Sequence, residues 1–169
     1  YMHQHTRQLT YEQFWSHGFS FKGLRSLVLG DVMQRVNDLT NRYVHYVARE
    51  RIDPLSLTLT KGKLASTFAD RSYATLSGGE KQLVDLCTGL AIRATAEQYN
   101  KARCNLIVFD EPLESLDAIY QSRAQELLFS VAKPSTFLIT HQDLGISFDK
   151  VLEVTRKKGG YAQLRTIYG

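Results

Sequence analysis

From Leu24 to Val47 the apolar residues Leu24, Val28, Val32, Val36, Leu39, Tyr43 and Val47 recur at steps of three and four. That spacing predicts an amphipathic helix. Arg35, Arg42 and Arg49 follow at steps of seven and line one edge of it, beside the apolar stripe. Pro54 breaks the pattern, and Leu55 to Leu59 then alternates Leu, Ser, Leu, Thr, Leu, as a half-buried strand does, with a turn at Lys61-Gly62-Lys63. Leu83, Leu86, Cys87, Leu90 and Ala94 share one face and predict a second helix from Leu83 to Ala94. Leu106 to Phe109 is a continuous apolar run of strand length, expected to lie in a sheet buried on both faces. A helix from about Asp117 to Val131 leads to a second buried strand, Thr136 to Thr140. Val151 to Arg165 reads as a hairpin turning at Gly159-Gly160. At the other end, the polar stretch His3 to Gln13 has no strand pattern and reads as the tail of a long helix.

Composition narrows the class. The chain has 169 residues, 43% hydrophobic and 22% charged, enough for the core of one domain or of one lobe of a larger one. No apolar run approaches the roughly 20 residues of a bilayer span. No charged-then-apolar signal peptide opens the chain. The expected location is therefore the cytoplasm. Cys87 and Cys104 are too few and too isolated for a disulfide framework or a CxxC metal site, and read as reduced thiols. His3 and His5 form an HxH pair with no further ligand cluster, which reads as solvated surface. With Pro 3 and Gly 11, collagen and disorder are excluded.

The net charge of +4 is unevenly spread. Residues 20–72 hold nine basic and five acidic side chains, while the remainder balances at twelve of each. A diffuse, Arg-rich surplus of this kind is either a solvated face or a surface for DNA backbone. Arg35, Arg42 and Arg49 are the candidate DNA contacts.

Two segments carry chemistry. In Leu76-Ser77-Gly78-Gly79-Glu80-Lys81-Gln82, Ser77 and Glu80 have the spacing of a capping box, with Ser77 as N-cap and Glu80 three residues into the helix. An ordinary cap has no use for two consecutive glycines, each of which costs about 0.5–1 kcal/mol relative to Ala in a helix. A bare helix N-terminus binds anions, so close approach of a ligand explains the pair. In Leu106-Ile107-Val108-Phe109-Asp110-Glu111-Pro112, two carboxylates stand at the C-terminal end of an apolar strand, the edge where open α/β sheets bind ligands. Adjacent acids there point to a divalent cation or a proton-transfer role. Ser115-Leu116-Asp117 follows at short range, and Thr140-His141 ends the second strand at the same presumed edge, near Glu111 if the strands are parallel.

The order LSGGEKQ, apolar strand ending Asp-Glu-Pro, Ser-Leu-Asp and Ile-Thr-His resembles the C-terminal half of an ABC-type ATPase head, over residues 73–142. The LSGGEKQ wording is similar to the SMC-like DNA-repair branch. Upstream, Phe14-Trp15 to Arg25 (FWSHGFSFKGLR) and the helix to Asn41 resemble the segment after the coiled coil in SbcC-type exonuclease ATPase subunits and phage recombination-endonuclease ATPase subunits. The resemblance implies an α/β fold, a largely parallel sheet with flanking helices and a terminal hairpin. It implies a coiled-coil end at 1–18, a basic lead-in at 19–72, and an ATPase lobe at 73–169 with signature motif, Walker B, D-loop and His switch. It assigns Mg²⁺ to Asp110, activation of the attacking water to Glu111 and a γ-phosphate contact to His141. Ser77, Gly78, Gly79, Glu80, Lys81 and Gln82 would form the signature that meets ATP held by an opposite head, with Asp117 at the seam.

A phosphate-binding loop needs GxxxxGK[ST], and the chain has none. Gly18 to Gly23 has the glycine spacing, but Leu24-Arg25 stands where Lys and Ser/Thr are needed. In the resembled family that loop lies in an N-terminal lobe beyond a long coiled coil. The expectation is one lobe of a head, inactive by itself, with that P-loop lobe, a second head, a metallophosphoesterase-type nuclease subunit and double-stranded DNA as partners. It would act at the nucleoid, or in host cytoplasm if phage-encoded. A cohesin- or condensin-like SMC head, or another recombination-repair ATPase head of related design, is the rival within the class. A structural module that has lost turnover is the rival outside it, and the presence of Glu111 and His141 argues against that one.

Overall fold

The computed structural model describes residues 2–20, 23–49, 55–60, 63–68, 71–100, 104–142, 144–145, 148–157 and 159–167. Helix α1 (Met2–Gly18) is followed by α2 (Leu24–Ala48), three strands β1 (Leu55–Thr60), β2 (Lys63–Phe68) and β3 (Arg71–Ser72), and a short 3-10 turn, Tyr73–Thr75. Then come α3 (Gly78–Asn100), β4 (Leu106–Asp110), α4 (Ala118–Ser130), β5 (Ser135–Ile139) and the strands β6 (Val151–Arg156) and β7 (Ala162–Ile167). The chain divides into two compact units, Tyr1–Ile139 and Thr140–Gly169. The Pro54 break, the turn at Lys61-Gly62 and the side chains of His3, His5 and Arg25 lie outside the described residues.

The core of the first unit forms where α2 packs on α3. Val36, Val44, Val47 and Ala48 of α2 are buried, as are Leu83, Val84, Cys87, Leu90 and Ala91 of α3. Burial starts only halfway along the α2 stripe, since Leu24 and Val28 remain 51% and 62% exposed. Strand β1 is docked on α2 by two asparagines. Asn41 donates from Nδ2 to the Leu55 carbonyl (2.8 Å) and accepts from the Leu55 N–H (2.7 Å); Asn37 does the same with Leu57, at 3.0 and 2.8 Å. The match is geometric: four helical residues rise about 6 Å and two strand residues about 6.6 Å. Leu55 and Leu57 are buried while Ser56 and Thr58 are exposed, as the alternation predicts.

Helix α4 packs on α2, and Arg123 caps it by donating to the Val47 carbonyl at 3.0 Å, a cation placed at a helix C-terminus. Helix α3 outruns the expected Leu83–Ala94 at both ends. Its start is set by a cap, and its last turns carry an Arg93–Glu97 pair at 2.9 Å joined by Lys133 at 3.2 Å. Desolvation would raise the Glu97 carboxyl, but these two cations hold it below its ordinary range.

The strands differ from the expected double burial. β4 and β5 are parallel, with Leu106 opposite Ser135 and Asp110 opposite Ile139. One face of the pair leaves Leu106, Val108, Phe137 and Ile139 between 51% and 56% exposed, while Ile107 on the other face is buried. A two-stranded sheet offers two faces, and among the described residues only one is covered. The parallel part of the fold is this pair; β1–β2–β3 and β6–β7 are antiparallel. The second unit contains the expected hairpin, with Gly159 and Gly160 at φ 116° and 86° and the Lys157 N–H bonded to the Tyr161 carbonyl at 2.9 Å.

Candidate functional site

The start of α3 is a capping box. Ser77 Oγ accepts from the Glu80 N–H at 3.3 Å, and the Glu80 carboxylate accepts from the Ser77 N–H at 2.8 Å. The two glycines then part company. A Cβ at Gly78 would meet nothing within 4 Å, so that backbone faces open space. A Cβ at Gly79 would lie 2.7 Å from the Ser115 carbonyl oxygen. Close approach thus explains Gly79, but the approaching group is the chain's own loop; only Gly78 stays open to a ligand.

The turn before the cap is tied to the same helix. Ser72 accepts from the Ala74 N–H, and Thr75 Oγ1 donates to the Ser72 carbonyl at 2.7 Å. Tyr73 Oη donates to Asp85 at 2.7 Å, a bond that, with a smaller burial effect, pushes the phenol up to about 12. Lys81 Nζ lies 5.9 Å from the Tyr73 ring centroid and donates to the Ala74 carbonyl at 3.2 Å. Sequence reasoning missed Tyr73 and Asp85; a tyrosine four residues ahead of the cap and an acid eight residues after it carry no local signal of meeting.

β4 delivers Asp110, exposed, and then Glu111, partly buried with Oε2 shielded from solvent. Glu111 has φ 46°, a left-handed conformation that costs a non-glycine residue about 1–3 kcal/mol. Its N–H extends the β4–β5 ladder by bonding the Ile139 carbonyl at 3.0 Å. Its carbonyl accepts from Gln82 Nε2 at 2.8 Å, and Gln82 Oε1 accepts from the Ser115 N–H at 2.6 Å. Pro112, Leu113 and Leu116 are buried beneath, and Gln121 bonds the Leu113 carbonyl at 3.1 Å. Asp117 caps α4 by accepting from the Tyr120 N–H at 2.8 Å. A groove of about 380 Å³ runs from Asp85 and Arg93 to Asp110 and Glu111.

The fold therefore brings Ser77, Gly78, Gly79, Glu80, Lys81 and Gln82 together with the segment from Asp110 to Asp117. His141 belongs to the second unit, where it is exposed beside Thr140, whose Oγ1 accepts from the Gln142 N–H at 3.1 Å. The arginine stripe is not uniform: Arg35 lies 5.8 Å from the Tyr99 ring centroid, while Arg42 and Arg49 are exposed. No group of three or more His, Cys, Asp or Glu among the described residues could hold a metal. Two hard carboxylates at a strand end nevertheless fit Mg²⁺, which takes one or two protein carboxylates and completes its shell with water and phosphate oxygens. No helix among the described residues is long and apolar enough to cross a membrane.

A family model described as SbcC/RAD50-like, Walker B motif, matches residues 34–129. The molybdate import ATP-binding protein MolC of Haemophilus influenzae is 30% identical over 135 residues, 77% of this chain and 46% of that protein. Exonuclease subunit 2 of Escherichia phage RB69 is 22% identical over 122 residues, 72% of this chain and 22% of that protein. The chain thus spans less than half the length of these curated relatives. A solved structure from work on ATP-driven dimerisation and DNA-stimulated activation of SMC ATPases superposes with a TM-score of 0.61 at 21% identity, covering 83% of this chain and 88% of that one. The chain has the fold of an SMC-type ATPase head.

Proposed function

The chain belongs to the SbcC/RAD50-like family marked by its Walker B motif, and from that membership we propose that it is the C-terminal half of an ATP-hydrolysing head in a DNA double-strand-break repair and recombination exonuclease complex. The observation that carries the reading is the docking of the capped α3 start against the loop that bears Asp110 and Glu111. Residues 73–169 form the lobe, 19–72 its basic lead-in and 1–18 the base of a coiled coil. The P-loop lobe supplies the remaining phosphate contacts, and ATP closes two heads into a dimer.

In that head, Ser77 Oγ and the open N-terminus at Gly78 meet the γ-phosphate bound by the opposite head. Asp110 holds Mg²⁺, which when bound neutralises phosphate charge. Glu111 orients the attacking water and takes its proton, from a carboxylate partly withdrawn from solvent. Asp117 lies at the seam and His141 contacts the γ-phosphate. The nuclease link rests on the phage relative and on α1 with the turn after it, where Tyr11, Phe14, Trp15 and Phe19 are each more than half exposed. Phe14 meets Trp15 edge-to-face at 5.4 Å and Trp15 stacks on Phe19 at 5.7 Å, a surface suited to a metallophosphoesterase-type nuclease subunit. Arg42 and Arg49, with Arg35, contact double-stranded DNA in the cytoplasm. A cohesin- or condensin-like SMC head is the second reading, sustained by the shared fold.

The test uses heads that contain both lobes. Glu111→Gln keeps ATP binding and loses about 10²–10⁴-fold in turnover; a steady-state loss of under about threefold overturns the assignment. On the Glu111→Gln background, sedimentation with and without ATP shows dimers that Ser77→Arg abolishes. Dimerisation unchanged by Ser77→Arg overturns the trans contact. Arg42→Ala with Arg49→Ala flattens the logarithmic salt dependence of DNA binding by about two, and an unchanged slope assigns both to solvent.

A further inference from the structure

Gln82 stands one helical turn after Gly78, and both ends of its side-chain amide close on the loop after β4. Nε2 donates to the Glu111 carbonyl at 2.8 Å, and Oε1 accepts from the Ser115 N–H at 2.6 Å. A carbonyl oxygen and an amino group are both required, so no other side chain of this length makes the same pair. Gly79 adds backbone contact between the same two segments, since its absent Cβ would lie 2.7 Å from the Ser115 carbonyl oxygen. The helix start and the loop are thereby joined twice, through the Gln82 amide and through direct backbone packing at Gly79. Glu111 meanwhile holds φ 46°, which persists only where the surroundings impose it. Bonds to two other elements do so here, its N–H to Ile139 and its carbonyl to Gln82, beside a longer bond from the Glu114 N–H to the same carbonyl at 3.5 Å.

We infer that Gln82 is a positioning residue for Glu111. It carries any displacement of the α3 N-terminus to the backbone of the general base. Engagement of Ser77 and Gly78 by a phosphate in one site then re-aims the carboxylate that serves the other site of the dimer. The inference rests on the reading of Glu111 given above. It also separates Gln82 from its neighbours in the heptapeptide, because its amide is committed to the loop.

Gln82→Met matches the side chain in length and removes both bonds. Gln82→Glu keeps the acceptor for the Ser115 N–H and loses the donor to Glu111. In heads with both lobes, both variants lower kcat by about tenfold to a hundredfold. The KM for ATP stays within about twofold, as does ATP-dependent dimerisation measured with Glu111→Gln present, as expected for an effect confined to the reacting step. Amide hydrogen exchange at Ser115, read in the same two-lobe heads, accelerates in Gln82→Met and stays at the parent rate in Gln82→Glu. An unchanged kcat in both variants, an unchanged Ser115 exchange rate in Gln82→Met, or loss of dimerisation in the range caused by Ser77→Arg overturns the inference. If circular dichroism shows Gln82→Met unfolded, Gln82→Glu decides by kcat. Turnover that survives Glu111→Gln removes the base assignment and this inference together. Turnover lost there but intact in the Gln82 variants removes this inference only.

Discussion

The loop between β4 and α4 and the hairpin of β6 and β7 both follow from short-range signals, yet they are held in different ways. The loop is tied from other elements by Gln82 of α3, Gln121 of α4 and the Ile139 carbonyl of β5, beside two short backbone bonds of its own, Glu114 N–H to the Glu111 carbonyl and Leu116 N–H to the Leu113 carbonyl. Leu113 and Leu116 anchor it at 2% and 5% exposure. The hairpin is closed by its own ladder from Val151↔Ile167 to Arg156↔Ala162, and all of its strand residues are exposed. A ladder satisfies its backbone without help from side chains. A loop that must hold Glu111 in a strained conformation cannot, and needs tertiary partners to fix it.

That contrast breaks first in the core where α3 packs on α2. Leu83→Ala deletes a fully buried side chain of α3 and is expected to destabilise by about 2–5 kcal/mol. Val154→Ala in the hairpin, at 67% exposure, changes stability by at most about 0.5 kcal/mol. Urea unfolding of the two variants measures the gap, and comparable losses would show that the hairpin carries hidden packing.

The two glycines sharpen the comparison at finer scale. Gly79→Ala forces a methyl against the Ser115 carbonyl and is expected to cost about 1–3 kcal/mol. Gly78→Ala enters open space and leaves the unfolding midpoint at or slightly above that of the parent. The same Gly78→Ala methyl lies where a phosphate would approach, so ATP-dependent dimerisation of complete heads weakens although stability does not.

The smallest expected effect is on pH dependence. Tyr73 titrates at 10.0 when unperturbed and at about 12 in the folded chain, mainly through its bond to Asp85. A raised pKa means that the contribution is fully present below about pH 10 and is lost as pH rises from there to about 12. Tyr73→Phe should therefore flatten the fall in stability over that window, as read by urea unfolding at a series of alkaline pH values. An unchanged alkaline profile would mean that the turn before Ser77 is held without this bond.

Much of the site was legible because its signals are local. The capping box needs only Ser77 and Glu80 three residues apart, whereas the cap that Asp117 makes on α4 is a finding of the structure. The α2 stripe and the alternation of Leu55, Ser56, Leu57 and Thr58 reflect periods of 3.6 and 2 that any chain with one buried face must show. Burial was less legible. An apolar run such as Leu106–Phe109 reads as doubly buried, but what covers a face depends on elements that the run itself does not encode.

By itself the sequence determined the helices, β1, β4, β5, the terminal hairpin, the cap of α3 and the family, since each depends on residues within a few positions or on a motif order along the chain; β2, β3 and the turn at Tyr73–Thr75 carried no such signal. Tertiary structure alone decided that Asn37 and Asn41 receive the edge of β1, that Gly79 is bare for Ser115, and that Gln82 closes on Glu111 and Ser115. Those contacts join residues 14 to 36 positions apart. A polar side chain's partner at such separation is selected by which backbone groups the packed helices leave unsatisfied, and that is known only once the helices have packed.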